Sequence, residues 1–164
     1  MKKVTLALLI TATSLFGIGI GNYQISPEIG ANLSYQKSDK NDFTYGGYAR
    51  VWLGVSRIVL APQFKYDVIT KSNHMSTAYK NMQIGALVGF EVPILPLTPY
   101  IGASYSTFWG VGLKDTVSFN YGIKVKIPLI PLTVGLDGSY QKPKTTALGR
   151  INMNRFGVTI GVSF

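Results

Sequence analysis

Eight stretches of the chain alternate, residue by residue, between an apolar side chain and a small or polar one. The sharpest is the last, where Phe156, Val158, Ile160, Val162 and Phe164 are interleaved with Gly157, Thr159, Gly161 and Ser163. A period of two puts the sets on opposite faces of an extended strand, whereas a helix repeats every 3.6 residues. The pattern occupies residues 28–36, 43–54, 58–68, 81–92, 100–106, 117–127, 132–141 and 150–164. Tyr48 and Trp52 on the polar face of the second stretch, and Leu87 on that of the fourth, are its departures.

The connections alternate in kind. After the second, fourth and sixth stretches they are short (GVSR, PILP, PLIP), and after the others longer and mostly polar. Strands that reverse in this way make antiparallel hairpins, with tight turns at one end and loops at the other. One hairpin is duplicated: EVPILPLTPYIGASY at 91–105 aligns without gaps to KIPLIPLTVGLDGSY at 126–140, with the apolar faces in phase. The expected fold is all-β, an eight-stranded antiparallel up-and-down transmembrane β-barrel.

Composition decides which face looks outward. Charged residues are 14% of the chain, against about 25% in ordinary soluble domains. The polar face is crowded with glycine (Gly30, Gly46, Gly85, Gly102, Gly122, Gly135, Gly157, Gly161) rather than long charged side chains. That suits the narrow interior of an eight-stranded barrel, so the apolar face is expected to meet lipid. A tilted strand of about 9–11 residues spans a bilayer, and closure leaves no unpaired edge in hydrocarbon.

The N-terminal MKKVTLALLITATSLFGIGIG joins two lysines to an uncharged run, with small residues at Gly19 and Gly21 before a plausible cut. Residues 1–21 read as a signal peptide and 22–164 as the barrel domain, the alternative being a retained membrane anchor. The C-terminal strand, ending on Phe164, resembles that of bacterial outer-membrane proteins. With the leader, the eight strands and the unequal connections, the chain resembles the small eight-stranded outer-membrane β-barrel family, which includes the membrane domain of OmpA, OmpX and the opacity-type proteins. The resemblance implies export to a Gram-negative outer membrane. It also implies that Phe156, Val158, Ile160, Val162 and Phe164 form an assembly signal for the barrel-assembly machinery.

Inside such a barrel Glu28, Asp67, Glu91 and Asp137 would share the lumen with Arg50, Lys65, Lys124, Lys126 and Arg155, four acids against five bases. One reading is a salt-bridged plug, because unpaired buried charge is costly. The other is a narrow polar path with slight anion preference from the extra base. Lys37, Lys40, Lys71, Lys80, Lys114, Lys142, Lys144 and Arg150 gather at the loop end, with Asp39, Asp42 and Asp115 as the acids there. This basic rim suits lipopolysaccharide phosphates or an anionic host surface, or is simply solvated. Phe108 and Trp109 read as interface anchors, the alternative being a hydrophobic loop tip that contacts a partner.

Other chemistries find little support. There is no cysteine, hence no disulfide framework or thiolate metal site. The one histidine, His74, has Ser72 and Ser76 nearby in sequence but no carboxylate to orient it. Positive charge divided among leader, lumen and loops does not make a nucleic-acid surface. The expectation is a non-enzymatic outer-membrane barrel, without cofactor or metal, monomeric, serving the envelope structurally or as a surface contact. The alternative is a narrow porin for small solutes.

Overall fold

The computed structural model describes residues 18–20, 23–37, 41–70, 78–145 and 149–164. Eight long strands carry the fold: β1 (Tyr23–Lys37), β2 (Asn41–Val55), β3 (Ile58–Ile69), β4 (Tyr79–Phe90), β5 (Leu97–Trp109), β6 (Thr116–Lys126), β7 (Leu132–Gln141) and β8 (Met153–Ser163). Each is antiparallel to the strand before it, and β8 returns to β1 in a ladder running from Asn154 opposite Lys37 to Ser163 opposite Glu28. The sheet closes as an eight-stranded antiparallel barrel. A three-residue strand, Ile18–Ile20, from the segment read above as the leader, lies against Tyr23–Ile25, and the rest of that leader is outside the described residues.

The alternation sorts inside from outside along every strand. On β8, Phe156, Val158 and Ile160 point outward and are about half exposed, while Arg155, Gly157 and Thr159 point inward and are buried. Ile29 and Leu33 on β1, Phe43 and Tyr45 on β2, Ile101 and Tyr105 on β5 and Phe119 on β6 extend the apolar exterior around the barrel. The buried set is mostly polar, the inverse of a water-soluble domain. Such an exterior needs an apolar solvent.

The aromatics that broke the pattern are lumen fillers. Tyr48 and Trp52 point inward and are buried, and glycine makes room for Tyr48. A Cβ at Gly30 would stand 2.7 Å from the Tyr48 ring, and one at Gly161 2.5 Å from its hydroxyl. Leu87 is inward too, packed with Trp52, Val59, Ala61 and Tyr100. Two expectations are corrected here. Phe108 is no interface anchor: it follows the inward parity of β5 and packs on Ile69, Tyr79 and Met153. Asp42 does not stand on the rim, because β2 begins at Asn41 and aims Asp42 into the lumen.

The two ends differ. At one, Ser56–Arg57, Pro93–Pro96 and Pro128–Pro131 make the tight connections, and Ser56, Ile94 and Leu129 take positive φ there. At the other, Lys144–Thr145 pairs with Gly149–Arg150 and Leu113 bridges to Thr145, so the last two loops lean on one another.

Candidate functional site

Three carboxylates stacked along the lumen organise its charges. Nearest the short-turn end, Glu28 accepts hydrogen bonds from the Tyr48 hydroxyl at 2.8 Å and the Trp52 indole at 2.7 Å, with Lys124 Nζ 3.6 Å away. Lys124 also lies over the Trp52 ring, 4.1 Å from its centroid. At mid-height Asp137 accepts from Arg50 at 2.8 Å, Lys65 at 2.5 Å and the Tyr100 hydroxyl at 2.7 Å. Arg50 is held between the rings of Tyr48 and Tyr100, at 4.4 and 5.1 Å. Toward the loop end Arg155 pairs with Asp67, which accepts a further hydrogen bond from Asn32 at 2.7 Å. Arg155 also donates to Gln36 at 2.9 Å, and Gln36 to the Tyr79 hydroxyl at 2.6 Å.

These partners come from opposite walls. Arg50 and Asp137 are 87 residues apart on β2 and β7, and Arg155 and Asp67 are 88 apart on β8 and β3. Each pair therefore bridges the bore instead of joining adjacent strands. Apolar clusters lie beside the charges: Trp52, Val59, Ala61, Leu87 and Tyr100 along β2 to β5, with the Trp52 indole and Tyr100 hydroxyl bonded to Glu28 and Asp137, and Ile69, Tyr79, Phe108 and Met153 with Val111, Leu113 and Ile151 toward the loop end. Among buried side chains charge pairs are weakly screened, and removing one partner strands the other.

Among the described residues the buried charges are Glu28, Asp42, Asp67 and Asp137 against Arg50, Lys65, Lys124 and Arg155, four acids and four bases. The inventory read from sequence differs at both ends of the bore. Glu91 is half-buried at the short-turn mouth, accepting from Gln24 at 2.6 Å, and Lys126 is exposed there. Asp42 joins the buried set. Glu91 and Lys126 leave the enclosed set together, so it is Asp42 that offsets the surplus base behind an anion preference. Among the described residues no group of three or more His, Cys, Asp or Glu is arranged to hold a metal.

Lys37, Lys80, Lys114, Lys142, Lys144 and Arg150 are exposed at the loop end. Lys40, Lys71, His74, Ser72 and Ser76 lie outside the described residues. In the C-terminal strand Phe156, Val158, Ile160 and Val162 face outward, and the Phe164 N–H continues the ladder by donating to Pro27 O at 2.8 Å. Tyr48, Trp52, Tyr79, Tyr100, Asn32 and Gln36 are site residues that charge counting missed. Their inward parity was the available signal, since a hydroxyl, indole or amide on a buried face must find a partner.

No protein-family model and no curated protein matches the sequence. Solved structures share the fold, two among them at low sequence identity. The crystal structure of Neisserial surface protein A (NspA) is 14% identical, with a TM-score of 0.59 over 85% of this chain and 97% of that one. The N-terminal β-barrel domain of Pseudomonas aeruginosa OprF is 15% identical, with a TM-score of 0.50 over 83% of this chain and 96% of that one. The fold is that of the small eight-stranded outer-membrane β-barrels.

Proposed function

We propose that the chain is an integral protein of a Gram-negative outer membrane, non-enzymatic and monomeric, with a structural or surface-contact role and a closed lumen. The leader is removed on export, the barrel-assembly machinery inserts the chain, and the short-turn end faces the periplasm. The observation that carries this reading is the set of buried ion pairs across the bore, Glu28, Asp67 and Asp137 with Arg50, Lys65, Lys124 and Arg155, inside a barrel whose exterior is apolar. A route for solutes through that bore would have to break the pairs that hold its walls together. Toward the outside, the exposed lysines of the loop end and Arg150 offer cations to lipopolysaccharide phosphates, whose negative surface attracts such a rim.

Cell fractionation and gel mobility test the reading together. The protein is expected in the outer-membrane fraction, running faster unheated than boiled, with a strand-dominated circular dichroism spectrum. Recovery in the soluble periplasm, or a mobility that heat does not change, would contradict it.

A further inference from the structure

The two duplicated turns at the short-turn end carry an unusual combination. Ile94 and Leu129 hold φ at +72° and are fully exposed, with Leu95 and Ile130 beside them about half exposed. Non-glycine residues rarely adopt this left-handed backbone, and for a β-branched side chain it is an outlier. In water nothing rewards placing an isoleucine there. Both turns are flanked by proline, Pro93 with Pro96 and Pro128 with Pro131, so four of their positions have no N–H to satisfy. The turns are also tied together, since Lys126 N–H donates to Pro96 O at 2.9 Å. By contrast, the third tight turn, Ser56–Arg57, is polar and exposed.

We infer that these two apolar turns are seated in the lipid of the periplasmic leaflet, their side chains covered by phospholipid acyl chains. This rests on the membrane reading above, and the argument for lipid is continuity. The exposed apolar stripe that runs through Phe90 and Val134 continues along the outer face into Leu95 and Ile130, whose inner side borders the mouth near Glu91 and Lys126. The four prolines remove N–H groups that hydrocarbon could not satisfy, and Val92 N–H to Leu97 O and Ile127 N–H to Leu132 O, both at 2.9 Å, close the two turns. Because the turn between β2 and β3 is polar, the apolar boundary is lower on the β4–β7 side. The barrel meets it by tilting or by deforming the leaflet locally.

The sequence has no cysteine, so single labels are unambiguous. Ile94→Cys, Leu129→Cys, Ser56→Cys and Val158→Cys, each carrying a polarity-sensitive fluorophore, are folded into phosphatidylcholine vesicles. Nitroxide lipids or iodide on both sides then serve as quenchers. Labels at 94 and 129 are expected to be quenched by lipid as the mid-strand label at 158 is, and to lose the iodide quenching seen at 56. If 158 is lipid-quenched while 94 and 129 behave like 56, the turns stand in water and the inference fails with the barrel reading intact. If 158 is not lipid-quenched, the membrane reading itself fails. Shielding of 94 and 129 from both quenchers, with a disulfide-linked dimer of the unlabelled Ile94→Cys variant, would assign the turns to a second copy and overturn the inference.

Folding is monitored in parallel with Ile94→Asn and Leu129→Asn, because asparagine tolerates positive φ. A lower urea midpoint in vesicles is expected, since a polar side chain enters lipid. A higher one, from relieved strain in water, would overturn the inference.

Discussion

Arg155→Ala is expected to cost about 3 to 5 kcal/mol of stability, the loss typical when one partner of a buried pair is removed. Asp67 is its partner, fully buried and otherwise held by the neutral amide of Asn32. Arg50→Ala is expected to cost less, because Lys65 remains 2.5 Å from Asp137 and Tyr100 still donates to it. Changing both members, as in Arg155→Met with Asp67→Asn, leaves no stranded charge and should recover most of the loss. Urea unfolding of detergent-folded protein, followed by tryptophan fluorescence, ranks the four proteins. Equal midpoints for wild type and Arg155→Ala would mean that water screens the pair and the bore is open.

Phe164→Asp is expected to abolish most outer-membrane yield in cells while leaving refolding in detergent nearly unchanged. A charge near a membrane interface costs a barrel only about 0 to 1 kcal/mol, too little to explain lost assembly. Its control is Ile58→Asp, which puts the same charge on an exposed outward position at the same end of the barrel, outside the C-terminal strand. If the terminal aromatic is read during biogenesis, only Phe164→Asp fails in cells. Equal yields of the two variants would reduce the C-terminal stretch to an ordinary lipid-facing strand.

The fold was legible because period two is a direct imprint of the pleat, and each residue from Phe156 to Ser163 lies on the side its parity assigns. Parity was weakest at the strand ends. Asp42 and Phe108 sit one or two residues inside β2 and β5, where loop-like composition hid the fact that the strand had already begun or not yet ended. Glu91 and Lys126 keep inward parity but lie at the mouth, since parity gives the face and not the depth. The pairing of charges was beyond reach for a related reason. Which base meets Asp137 depends on the bore diameter and the closing register between β8 and β1, and neither is written in any local stretch. Tyr48 and Trp52 looked like flaws in an amphipathic strand. They proved to be donors to Glu28 that fill a bore cleared for Tyr48 by Gly30 and Gly161.

The central claim is a bore closed by paired charge, and electrical recording reaches it most directly. Wild-type protein in planar bilayers should show no steady conductance above the leak of the lipid if the pairs close the bore. Arg155→Ala, tested alongside it, should conduct intermittently if at all, since losing one cation loosens the plug without removing the apolar clusters beside it. A stable, ion-selective wild-type conductance, with an Arg155→Ala midpoint unshifted in urea, would contradict the account and identify the chain as a narrow channel.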